Sequence, residues 1–113
     1  MYASLRPVMQ STISIVQTTM SGELNDAEIG FWSQSIIDSN LAHCADIKKA
    51  VSIFCREGKI CNTSQWQFQM AAYEVSKNTL ISKIRSIQPH EIIKILCRPS
   101  ESTKEYLDWV KGD

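Results

Sequence analysis

The side chains best suited to chemistry in this chain are polar and cationic groups spaced along residues 62–87. Ser76, Lys77, Asn78, Ser82, Lys83 and Arg85 take positions that a helix over about 77–87 would turn toward solvent. Hydroxyl and amide groups can read base edges, and Lys and Arg can neutralise phosphates. Leu80, Ile84 and Ile87, four and three residues apart, would hold the opposite side of that helix against a core. Val75 would close a turn before it, and the Ser76 hydroxyl would cap it. The chemistry this pattern predicts is recognition of double-stranded DNA.

The other reactive groups do not converge. The chain has no Gly-rich phosphate loop, no G-x-S-x-G elbow and no H-E-x-x-H pair. His43 stands beside Cys44, but neighbours on a helix point about 100° apart, which argues against a dyad there. His90 reads as a solvated residue of a first helical turn. Cys44, Cys55, Cys61 and Cys97 lack C-x-x-C spacing and a His pair, so no zinc site is expected. Cys44 and Cys55 lie eleven residues apart, three helical turns and hence one face, which suits small core residues in a reducing compartment. No catalytic residue, metal ligand or cofactor is predicted.

Several elements must position the polar set. Residues 64–73 form the first helix of a helix-turn-helix, with Trp66, Met70 and Tyr73 as its buried stripe and Phe68 off it. The second helix ends before Pro89. Upstream, Asn25-Asp26-Ala27-Glu28 is a capping box that opens a helix burying Ile29, Trp32, Ile36 and Ile37. A further helix is expected over 41–57, carrying Leu41, Cys44, Ile47, Val51, Phe54 and Cys55, with Gly58 as its left-handed stop. Residues 8–19 are β-branched and roughly alternating, which predicts one strand or an extended arm. A lone strand needs a partner, and in a helical domain that is its copy in a second subunit. Pro89-His90-Glu91 can open another helix, although Ile92, Ile93, Ile95 and Leu96 suit a buried strand equally well. Ser102-Thr103-Lys104-Glu105 is a second capping box, leading into Tyr106, Leu107, Trp109 and Val110. The predicted architecture is all-α, a single helix-turn-helix domain over 1–113. It has an arm or strand at 1–20, a helical core at 25–87 and a tail at 89–113.

Composition is compatible with this. The 113 residues are 43% hydrophobic and 21% charged, ordinary for a folded chain, and the net charge is zero. The charges are uneven: residues 1–47 carry −4, residues 48–98 carry +6 and residues 99–113 carry −2. The basic block coincides with the predicted DNA-reading helix. No apolar run approaches the roughly 20 residues of a membrane span, and the N-terminus lacks the pattern of a secretory signal. A cytoplasmic protein without a membrane partner is expected.

The order of features resembles the PapB-type regulators of bacterial fimbrial (adhesin biosynthesis) operons. The shared outline is Ser21-Gly22-Glu23-Leu24-Asn25-Asp26-Ala27-Glu28, then Phe31-Trp32, Ile36-Ile37 and Ala50-Val51-Ser52-Ile53-Phe54. The Gly58 turn and Ser82-Lys83-Ile84-Arg85-Ser86-Ile87 complete it. KorA-type plasmid repressors have a similar layout, with a step like Glu57-Gly58-Lys59. The resemblance implies a self-associating transcription regulator, a homo-oligomer that binds promoter DNA through Ser76, Lys77, Asn78, Ser82, Lys83 and Arg85. The competing expectation is a small helical protein–protein adaptor, such as a secretion chaperone or anti-regulator. Near-neutral charge and the apolar Trp66, Phe68, Tyr106 and Trp109 favour the adaptor.

Overall fold

From Gln65 to Met70 the chain reads Gln-Trp-Gln-Phe-Gln-Met, polar and apolar by turns, which is the period of a strand with one buried face. The computed structural model describes residues 9–87 and 94–110. In it this segment belongs to a 15-residue strand, and the chain is α/β rather than all-α. The element order is β1 (Met9–Ser21), α1 (Asp26–Asp38), β2 (Cys44–Arg56), β3 (Lys59–Tyr73), α2 (Lys77–Ile87), β4 (Ile95–Thr103) and α3 (Lys104–Val110). A 3-10 turn, Glu74–Ser76, leads into α2.

The four strands form one antiparallel sheet in the order β2-β3-β1-β4, joined by three ladders. Because β3 sits antiparallel between them, β1 and β2 run parallel, and the connection through α1 is a split β-α-β of the ferredoxin-like kind. β1 pairs with β3 from Ile13↔Tyr73 to Ser21↔Gln65, and on its other side with β4 from Met9↔Thr103 to Thr18↔Ile95. From Met9 on, the expected N-terminal arm is therefore a central strand whose described residues pair with β3 and β4 of their own chain.

Both helices predicted between residues 41 and 73 are strands. In β2 the residues Ala45, Ile47, Val51 and Ile53 alternate as well as they repeat by three and four, and the β-branching of Ile47, Val51 and Ile53 favours the extended form. The turn between β2 and β3 explains why the helical reading was available. Glu57 and Gly58 both have positive φ, 53° and 77°, and Arg56 pairs with Lys59 across them. This is the geometry of a two-residue hairpin turn of type I′, whose twist matches the flanking strands. A left-handed glycine that ends a helix and one that closes a hairpin have the same sequence signature.

One face of the sheet is covered by α1 and α2. Val16, Met20, Phe68, Met70 and Ala72 project from the strands onto Ile29, Trp32 and Ile36 of α1 and Leu80 and Ile84 of α2. Trp32 meets Phe68 edge-on, with ring centroids 4.7 Å apart. The capping box is formed as the sequence predicts: Glu28 N–H donates to Asn25 Oδ1 at 2.8 Å and Asn25 N–H to Glu28 Oε1 at 3.1 Å. At the other end α3 is capped one residue later than predicted, at Thr103 instead of Ser102, with Tyr106 N–H reaching Thr103 Oγ1 at 3.4 Å. Leu107 is buried from the opposite side of the sheet, on Ile13 and Ala71. The expectations for Pro89, His90, Glu91, Ile92 and Ile93 lie outside the described residues.

Candidate functional site

Alternation along the strands sends Ile15, Gln17, Cys44, Asp46, Lys48, Gln67, Gln69, Leu96 and Arg98 to the face opposite α1 and α2. Among the described residues only α3 covers that face, and only at one end. Two adjoining cavities of about 300 Å³ each lie on it, and Asp46 and Gln69 line both.

The cavity beneath α3 contains a thiol, a phenol and carboxylates. Cys44 Sγ is 3.8 Å from the Tyr106 hydroxyl, and Asp46 stands two residues along β2 on the same side. Glu101 and Ser102 of β4 complete the rim. Burial, then the hydrogen bond with Cys44, then the nearby charge of Asp46 hold the Tyr106 hydroxyl above the usual phenol range. Tyr106 is thus a neutral polar neighbour of the sulfur at physiological pH. A thiol and a carboxylate side by side can bind a divalent cation, with the thiol losing its proton as the ion binds. Among the described residues no group of three His, Cys, Asp or Glu side chains is placed to hold an ion, so the chain provides two donors rather than a closed cage.

The second cavity is framed by Gln17, Gln67, Gln69, Lys48, Lys94 and Leu96 around Asp46. Its floor is fixed by an amide pair: Gln17 Nε2 donates to Gln69 Oε1 at 3.1 Å, and Gln17 Oε1 accepts from Arg98 at 2.9 Å.

The residues expected to read DNA lie elsewhere. The helix α2 does span Lys77–Ile87, and Leu80 and Ile84 are fully buried beneath it. Asn78, Ser82 and Arg85 are exposed, whereas Ser76, Lys77 and Lys83 are half-buried. Lys77 is engaged at home, its ammonium 2.7 Å from Glu74, and Ser14 donates to the other oxygen of that carboxylate. These two hydrogen bonds, Lys77 first, hold the Glu74 carboxyl below the usual range. Val75, expected to close the turn of the motif, is 90% exposed. The strand β3 and a 3-10 turn precede α2, so residues 64–87 form no helix-turn-helix. Nor does the basic block share one face. Lys48 and Arg98 lie on the open side of the sheet, while Lys49 lies over the Trp66 ring, 5.2 Å from its centroid.

The model of the CutA1 divalent ion tolerance protein family matches residues 14–113. The chain belongs to the CutA1 family. Its fold is that of solved CutA proteins. The CutA of Synechococcus elongatus PCC7942 gives a TM-score of 0.82 at 19% identity, over 95% of this chain and 94% of that one. CutA1 of Ehrlichia chaffeensis gives 0.77 at 19% identity, covering 91% and 95%. CutA of Xylella fastidiosa gives 0.75 at 26% identity, covering 90% and 97%. No curated protein sequence matches the chain. CutA1 membership replaces the resemblance to PapB-type and KorA-type regulators. With it go promoter DNA as the partner and both expected roles, transcription regulator and helical adaptor.

In this CutA1 chain the overlooked residues are Cys44, Asp46 and Tyr106. On a helix, Cys44 and Asp46 would point about 200° apart, whereas on a strand residues i and i+2 share a face. The helical assignment hid the pair. It also misplaced the cysteines: none of the four is buried, and Cys44 and Cys55, an odd number of residues apart on β2, point to opposite sides.

Proposed function

We propose that this protein acts in divalent-cation tolerance by binding, rather than by turnover, and that Cys44 and Asp46 on the open face of the sheet are its first cation ligands. Membership of the CutA1 divalent ion tolerance family carries the reading. The juxtaposition of thiol, carboxylate and phenol beneath α3 supports the choice of site. A thiolate donor favours Zn²⁺, Cd²⁺ or copper over Mg²⁺ and Ca²⁺, which take oxygen ligands. The test is a titration of the reduced full chain with Zn²⁺, Cd²⁺, Mg²⁺ and Ca²⁺, followed by calorimetry. Zn²⁺ and Cd²⁺ should bind with release of protons, and Cys44→Ser should remove most of that heat. Equal binding by the Cys44→Ser variant would place the site elsewhere.

A further inference from the structure

The outer surfaces of α1 and α2 carry opposite charge. Residues 26–38 contain Asp26, Glu28 and Asp38 and no Lys or Arg, a net −3. Residues 77–87 contain Lys77, Lys83 and Arg85 and no Asp or Glu, a net +3. Both helices cover the same face of the sheet, so that side of the molecule is a layer with an acidic half and a basic half. Most of these charges are not neutralised within the chain. Lys77 is paired with Glu74, but Asp26, Asp38, Lys83 and Arg85 make no ion pair among the described residues. Phe31 stands 80% exposed on α1, on the same outward stripe as Ala27, Gln34 and Asp38.

The topology fixes how the two halves are arranged. β1 and β3 are antiparallel, and each helix turns back over the sheet after its strand, so α1 and α2 are antiparallel too. The acidic start of α1, with Asp26 and Glu28, therefore lies at the same end of the layer as Lys83 and Arg85 of α2. Two-fold docking of this layer on itself can be set in two ways. An axis across the helices puts acidic on acidic and basic on basic, which repels. An axis parallel to the helices puts α1 on the copy's α2 and α2 on the copy's α1, and keeps the charged ends together. Phe31 then meets the middle of the copy's α2, whose outward side chains there, Asn78 and Ser82, are short. We infer that the helical layer is a contact surface for a second copy of this chain, docked α1-on-α2 about such an axis. Two helices per copy make a patch at the low end of interface sizes, under about 1,200 Å² in total, so the contact is weak, reversible and salt-sensitive.

Sedimentation velocity of the full chain over a range of concentrations tests this with two charge-reversed variants. Asp26→Lys/Asp38→Lys makes α1 net +1 and spares the Glu28 capping box, and Lys83→Glu/Arg85→Glu makes α2 net −1. The native chain should show a concentration-dependent rise in mass that is lost at about 1 M salt, where the Debye length is about 3 Å. Each variant alone should self-associate roughly tenfold more weakly or worse, because a two-fold contact counts every charge change twice. Mixed in equal amounts, the two variants should associate with each other, since both helix contacts are then again opposite in sign. Association through the sheet is untouched by these changes and sets the baseline mass. Three results would each overturn the docking: no salt-sensitive association of the native chain, self-association that survives in either variant, or variants that keep their far-UV circular dichroism and yet do not bind each other.

Discussion

At the scale of single residues, the polar side chains of the sheet divide between those tied into the fold and those left to act. His43, just before β2, belongs to the first group. Its ring lies edge-on to Tyr73 with centroids 4.6 Å apart, and its Nε2 is buried without a partner among the described residues. Desolvation lowers its pKa, because the charged form would have to give up water for an apolar wall. The folded state therefore resists a proton that the unfolded chain accepts near pH 6.5. Stability should be level above about pH 6.5 and fall as pH drops from there through the lower folded value. Melting temperatures between pH 8 and pH 5 check this, and His43→Gln should flatten the upper part of the slope; an unchanged slope would remove His43 from the account. In the core, Phe68, Leu80 and Ile84 are 2%, 0% and 0% exposed. Phe68→Ala should cost about 3–5 kcal/mol and Leu80→Ala about 2–5 kcal/mol in urea denaturation, since both leave cavities between sheet and helix. Arg85→Ala, on the exposed side of α2, should stay within about 0.5 kcal/mol.

At the scale of elements, what could be read from the sequence depended on how many periods a segment satisfied. α1 has one period, a capping box and a face of Ile29, Trp32 and Ile36, and its start is legible to the residue. α2 was legible too, with its span and its buried Leu80 and Ile84, although its purpose was misassigned. Segments 41–57 and 64–73 satisfy both a strand and a helix pattern. Phe68, which fell off the helical stripe, was the residue that discriminated, because it completes the series Trp66-Phe68-Met70-Ala72. The type I′ turn makes the hairpin testable. Nothing lies within 4 Å of a Cβ added at Gly58, so Gly58→Ala should cost about 1–2 kcal/mol through its positive φ alone. Glu57→Asn should stabilise by a few tenths of a kcal/mol, because Asn tolerates the left-handed region better. Gly22→Ala works by another mechanism: its Cβ would come 2.5 Å from the Ser64 carbonyl oxygen, where β1 leaves the sheet. Chemical denaturation should show Gly22→Ala as destabilising even though no positive φ is involved.

At the scale of the molecule, the long hairpin sets the shape. The extents are 56 × 32 × 22 Å and the radius of gyration is 16.7 Å, against about 13 Å for a compact chain of this length. β1 is the axis of the arrangement, flanked by β3 and β4 and covered by helices on its buried side. Deleting residues 1–20 should therefore abolish the circular dichroism of the folded sheet, where removal of a free arm would leave it intact. The order of strands, and with it the face that carries the two cavities, was not legible in the sequence, because pairing between β1 and β4 joins residues about eighty positions apart. The claim that everything else depends on is that this open face binds a divalent cation through Cys44. Titrating the reduced chain with Cd²⁺ and following thiolate-to-metal charge-transfer absorbance in the ultraviolet tests it most directly. The account predicts a saturable band in the native protein that is retained in Cys55→Ser, Cys61→Ser and Cys97→Ser and absent in Cys44→Ser. A band that survives in Cys44→Ser, or no band in the native protein, would contradict it.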